Sequence, residues 1–148
     1  MEEAPDNAPP FHVDAIVLDE DTGLVLTADF NIKDGEAHPI RIMTDLHDFE
    51  PATPGTVVVK GRYPCRLLAI VHDFDREPAC REVWIRGSLR AALRLCAERG
   101  TTAVGFQLLG TRYGPFSEQW FKEELRDALA ESPVPSLRRI WLMLPDSD

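Results

Sequence analysis

The chain has 148 residues, 44% of them hydrophobic and 28% charged, with a formal net charge of -9. That length suits one domain with a substantial core. The acidic balance argues against nucleic acid as a partner, because phosphate backbones attract basic surfaces. No run approaches the roughly 18 apolar residues that span a bilayer, which argues against a membrane protein.

The charge is unevenly placed. Residues 1–50 hold thirteen acidic and two basic residues, whereas residues 51–148 hold twelve and fourteen. The halves could pair with each other, or the second half could meet an anion, but a solvated acidic surface accounts for the pattern as well. Cys65, Cys80 and Cys96 are odd in number and widely spaced. They read as reduced thiols, with neither a disulfide framework nor a zinc signature.

Met1 to Pro10 is acidic and proline-rich and lacks the basic and apolar segments of a signal peptide. Residues 1–10 are therefore expected to be a disordered tail, residues 11–148 a single α/β domain, and the protein cytoplasmic. Val13 to Leu18 and Leu24 to Phe30 are apolar and β-rich. With Asp19-Glu20-Asp21-Thr22-Gly23 between them they read as a hairpin. Asp34-Gly35 reads as a turn, Pro39 to Met43 as a short strand and Asp45 to Gly55 as an acidic loop. Thr56 to Lys60 reads as a further strand, closed by Gly61-Arg62-Tyr63-Pro64.

The second half has a clearer rhythm. Leu67 to Val71 is a continuous apolar run, as expected of a strand buried on both faces. Pro78 to Glu98 reads as a helix with Pro78 in its first turn; Ile85, Leu89, Ala92, Leu93 and Cys96 share one face, and Arg86, Arg90 and Arg94 the opposite one. Gly87 is a weak point in that helix and Gly100 its stop. Ala103 to Leu109 is the next buried strand. Ser117 caps a helix with an apolar face of Phe121, Leu125, Ala128 and Leu129, and Ile140 to Leu144 is the last strand. Such βαβ units make a parallel sheet, and the first half should add antiparallel strands. The expected fold is a three-layer α/β/α domain with a mixed sheet.

At these residues the second half resembles the C-terminal part of macro domains, the ADP-ribose-binding α/β/α modules. Ile70-Val71-His72 is similar to a family strand ending in a hydrophobic-His pattern. Ala103 to Thr111 is similar to the strand leading into the family's second phosphate loop, and Ile140 to Leu144 fits the last strand. The resemblance covers roughly residues 56–145, and the N-terminal domain of leucine aminopeptidases shares the fold. It implies an ADP-ribose or nucleotide-type ligand. The family's Asn-Ala-Ala-Asn type motif and its glycine-rich first phosphate loop are absent. Arg112 stands where a glycine is usual, and Gln107 where a proline is common. These departures argue for a degenerate, non-catalytic member.

Two places carry candidate chemistry. Gly110, Thr111, Arg112, Tyr113 and Gly114 lie between a strand and a helix, where backbone N–H groups and a helix start favour an anion. The plainer account is a tight turn whose glycines supply only backbone freedom. His72, Asp73 and Asp75 follow the end of a parallel strand, where open α/β sheets place ligands, and a histidine beside carboxylates suits a general base. Without a nucleophile in view, Asp73 and Asp75 more simply start the following helix. Tyr113, Phe116 and Trp120 could line a pocket, though aromatic residues at such spacing also serve simple packing; Trp84 and Trp141 read as core. No metal ligand set and no cofactor motif stand out.

The sequence thus points to a macro-like binding module for an anionic small molecule at residues 110–114. The rivals are a structural or assembly domain, with a protein partner or a second copy and an inert pocket, and a weak hydrolase using His72.

Overall fold

The computed structural model describes residues 1–27, 51–61 and 64–145. Six strands form one sheet: β1 (Glu2–Pro5), β2 (Ala15–Asp21), β3 (Val57–Lys60), β4 (Cys65–His72), β5 (Ala103–Gln107) and β6 (Arg139–Leu144). Two helices connect the later strands, α1 (Glu82–Arg99) after β4 and α2 (Glu118–Glu131) after β5. The strand order is β1-β6-β5-β2-β4-β3. Every pairing is parallel except that of β3 with β4, so the sheet is mixed, as the alternation of apolar runs and helical stripes implied.

The steps from β4 to β5 and from β5 to β6 run in the same direction along the sheet. Right-handed crossovers then put both helices on one face. The core shows this: Val17, Leu67, Ala69, Val71, Val104 and Phe106 from the sheet pack with Ile85, Leu89, Leu93, Phe121 and Leu125 from the helices. The opposite face carries a smaller cluster of Val13, Ala103, Trp141 and Met143. Trp141 lies across β5 at Gly105, where a Cβ would come within 2.8 Å of the indole. Trp84, by contrast, is only half-buried.

Helix α1 carries the expected buried stripe, Ile85, Leu89, Ala92, Leu93 and Cys96. It starts later than Pro78, with Arg81 in extended conformation at its N-cap. Pro78 therefore lies in the preceding loop, and not in the first turn of the helix. Gly100 ends the helix in a left-handed conformation, φ 65°. Ser117 caps α2, its hydroxyl accepting from the Trp120 amide. The arginine stripe of α1 is not simply solvated, since Arg86 donates two hydrogen bonds to Glu124 and Arg90 pairs with Glu131.

Two expectations for the first half need correction. Residues 1–10 are not a disordered tail throughout, because Glu2–Pro5 pair in parallel with Trp141–Leu144, and the Trp141 indole N–H donates to the Ala4 carbonyl. The hairpin is also wrong. Asp19, Glu20 and Asp21 continue β2 instead of turning, and β2 is an interior strand between β5 and β4. The Asp34-Gly35 turn, the Pro39–Met43 strand and the second arm beyond Thr27 lie outside the described residues. Among the described residues, no helix is long and apolar enough to cross a membrane.

Candidate functional site

The sheet order fixes where a ligand can enter. From β2 the chain leaves toward β3 and β4, and from β5 it leaves toward β6, so the connections diverge between these two neighbouring strands. Open α/β sheets bind ligands at the carboxyl ends of the strands at such a divergence. There the protein has a cleft of about 220 Å3, lined from β2 by Leu18 and Asp19, from β5 and its loop by Gln107, Thr111, Arg112 and Tyr113, and from β6 by Met143. Asp6, Leu26 and Thr27 close its sides.

The loop after β5 presents different residues to different sides. Thr111, Arg112 and Tyr113 line the cleft. Gly110 and Gly114 face the interior. A Cβ on Gly110, whose φ is +76°, would meet Ile85 at 2.6 Å, and one on Gly114 would meet the Gly110 carbonyl oxygen at 2.6 Å. Both glycines therefore answer to close packing and backbone conformation. The Thr111 hydroxyl donates to the Leu108 carbonyl at 2.7 Å, which tightens the turn. Arg112 is exposed, its guanidinium 5.3 Å from the centre of the Tyr113 ring. Phe116 stacks on Trp120, at the base of α2, away from the cleft lining.

The His72, Asp73 and Asp75 trio does not assemble. His72 is fully buried. Asp73 is spent on the turn that follows it, accepting from the Asp75 amide and pairing with Arg76. Asp75 is exposed on that turn, and neither aspartate caps α1, which begins at Glu82. The carboxylate beside His72 is Asp19, with Oδ1 2.8 Å from Nε2. That approach lies off the hydrogen-bonding directions, so Asp19 Oδ1 and both ring nitrogens of His72 lack a hydrogen-bond partner among the described residues. Phe74 stacks on the imidazole at 5.5 Å and the Tyr113 edge meets it at 6.2 Å. Burial and the nearby Asp19 charge push the Cys80 thiol up to about 12.

Sequence reasoning missed the acidic end of β2. Asp19 ties β2 to β5 beyond their backbone ladder, its amide donating to the Gln107 side chain at 2.7 Å. Asp21 gathers the amides of Gly23, Val25 and Leu26, and Glu20 those of Asp21, Leu26 and Thr27 together with the Thr27 hydroxyl. These two carboxylates hold the Leu26–Thr27 wall of the cleft. Burial raises Glu20 above the usual carboxylate range. For Asp21 burial also pulls upward, but the hydrogen bonds from Glu20 and from the amides outweigh it and lower the carboxyl. The available signal was three acids directly after an apolar β run, at the carboxyl end of a strand. Among the described residues, no group of three or more His, Cys, Asp and Glu side chains is arranged to hold a metal ion.

The arrangement is that of an open α/β domain with a cleft at the divergence of its parallel strands. No family model matches the sequence, and neither does any curated protein. Solved structures do match, among them several macro domains. The macrodomain of Thermus aquaticus DarG aligns over 97% of this chain and 97% of its own, at 16% identity and a TM-score of 0.66. That of Mycobacterium tuberculosis DarG aligns over 96% and 97%, at 13% identity and a TM-score of 0.65. A Trypanosoma brucei macrodomain in complex with ADP-ribose aligns over 89% of this chain and 58% of its own, at 20% identity and a TM-score of 0.58. At these identities the likeness establishes the fold: the chain has the macro domain architecture.

Proposed function

We propose that the protein is a non-catalytic binding module for an ADP-ribose or other nucleotide-type anion, held in the cleft between β2 and β5. The observation that carries this reading is the position of the cleft, at the divergence of the parallel strands, with Arg112 and Tyr113 at its mouth. The ADP-ribose complex of a macrodomain with the same architecture supports it. In this reading Arg112 pairs with a phosphate, Tyr113 offers its exposed ring to a planar or sugar group, and Leu18, Leu26 and Met143 supply apolar contact.

The lining favours binding over catalysis. Its two threonine hydroxyls are both committed, Thr111 to the Leu108 carbonyl and Thr27 to Glu20. The Cys80 thiol is buried with its pKa raised, so it is a poor nucleophile. The composition and thiol usage fit a cytoplasmic setting.

Titration calorimetry of wild type and Arg112→Ala with ADP-ribose, ADP and AMP tests the reading. The expected result is binding by wild type that weakens roughly tenfold in Arg112→Ala, the size of one lost charge-assisted contact at an exposed site. No heat and no thermal shift at millimolar ligand favours the rival assembly domain, which a measurement of mass in solution then tests. That rival has one observation on its side: among the described residues, the cleft lining sets two carboxylates, Asp6 and Asp19, against one guanidinium, that of Arg112.

A further inference from the structure

Strands β2 and β5 part at the floor of the cleft, and one side chain crosses the gap. Val17 and Phe106 are the last residues that the two strands pair in register. Further along β2, the Asp19 amide donates instead to the side-chain oxygen of Gln107, at 2.7 Å. Gln107 is the last residue of β5; it lies opposite Met143 of β6, and both line the cleft.

That one contact fixes the side-chain amide. A backbone N–H can meet only the oxygen of a glutamine, so the Gln107 NH2 is turned the other way. The NH2 donates to no group among the described residues. It is not sealed in the interior either, since the buried side-chain atoms without a partner belong to Asp19 and His72. Gln107 as a whole is half-buried, and the open space beside it is the cleft. Its two N–H donors therefore stand at the cleft on a side chain that β2 already holds in place, which reduces the ordering that binding requires.

The rest of the lining specifies what such a donor is for. Among the described residues the cleft has one cation, Arg112, and two carboxylates, Asp6 and Asp19. A phosphate there takes one guanidinium and needs further donors for its remaining oxygens. We propose that Gln107 is a specificity-determining residue of the cleft, its NH2 donating to a phosphate oxygen of the nucleotide ligand alongside Arg112. This inference rests on the nucleotide-binding reading and adds the residue that selects the phosphate.

Gln107→Glu keeps an oxygen for the Asp19 amide and the shape of the side chain, and exchanges the NH2 for a second acceptor. Titration calorimetry with ADP-ribose and ADP should show binding at least tenfold weaker in this variant than in wild type. Gln107→Met removes both the tie to β2 and the donor without adding charge, and should weaken binding as well. A purely structural role predicts a different pattern, with Gln107→Met impaired and Gln107→Glu like wild type. A second measurement uses wild type alone, should Gln107→Glu fail to fold. The side-chain NH2 resonances of Gln107, identified by their loss in Gln107→Met, should move with inorganic pyrophosphate and with ADP and stay in place with adenosine. Unchanged nucleotide affinity in Gln107→Glu, or NH2 resonances that stay in place while wild type binds ADP, overturns the inference and leaves the nucleotide reading standing. Binding of neither nucleotide by wild type removes both.

Discussion

A Cβ on Gly87, in the middle of α1, would lie 2.9 Å from the carbonyl oxygen of Gly55. The loop before β3 thus runs against the helix at the one position without a side chain. Gly55 itself sits at φ +84° and donates its amide to the Ile70 carbonyl at 2.7 Å, which anchors the loop to β4. Helix propensity alone makes Gly87→Ala stabilising by up to ~1 kcal/mol. The contact is with backbone, which has little freedom to give way, and overpacking of this kind costs about 1–3 kcal/mol. Gly87→Ala should therefore be net destabilising in denaturant unfolding, and a midpoint above that of wild type would refute the close approach.

The N-terminal strand offers a second test. Removing residues 1–5 deletes β1, leaves the Trp141 indole N–H without the Ala4 carbonyl and exposes the edge of β6. The lost hydrogen bond and the four-residue strand pairing together are worth about 1–3 kcal/mol. A loss of stability of at least that size is expected, with a change in Trp fluorescence. A truncated protein as stable as the full chain would mean that the segment is dispensable.

What the sequence revealed follows from where the physics is local. Strands β4, β5 and β6 are continuous apolar runs, and α1 and α2 carry apolar stripes with a glycine stop and a serine cap, so period and punctuation alone identify them. Strand β1 has no such signal. Glu2-Glu3-Ala4-Pro5 is an edge strand whose place is set by its partner β6. The misread hairpin has a related cause. Asp19-Glu20-Asp21 has turn composition, yet long-range partners fix it: Gln107 takes the Asp19 amide across 88 residues of sequence. The candidate site was half legible for the same reason. The loop at 110–114 is local, whereas the meeting of Asp19 with His72, and with Arg112 and Tyr113 around the cleft, exists only once β2 lies between β4 and β5.

Thiol chemistry gives a third prediction. Cys65, Cys80 and Cys96 are all buried, and burial raises the thiols of Cys80, to about 12, and of Cys96. Since the thiolate is the reactive form, iodoacetamide near neutral pH should label none of the three in the folded protein and all three in denaturant. Mass spectrometry after a brief reaction reads this directly. Fast labelling of Cys80 without unfolding would contradict its packing against Gly110 and Gly114.

The Glu20–Asp21 pair makes stability depend on pH in a defined way. Glu20 is fully buried, and burial raises its carboxyl above the ordinary 4.5. A raised carboxyl pKa means that the fold prefers the protonated form. Its contribution is complete below the unfolded value and is lost as pH rises through the folded value. Asp21, lowered from 3.8, has the opposite sign: its contribution is present above 3.8 and fades only as pH falls through the lowered folded value. Well above the ordinary 3.8 the Asp21 contribution is therefore constant, whereas the Glu20 contribution declines as pH rises through its raised value. Glu20→Gln keeps a side-chain acceptor for the Leu26 and Thr27 amides but cannot ionise. The variant should compare worst with wild type at the acid end and gain on it as pH rises through the raised Glu20 value. Urea unfolding of both proteins across about pH 5–8 measures the difference. A gap that does not change with pH would place the Glu20 ionisation outside this window and leave hydrogen bonding as its whole contribution to the Leu26–Thr27 wall.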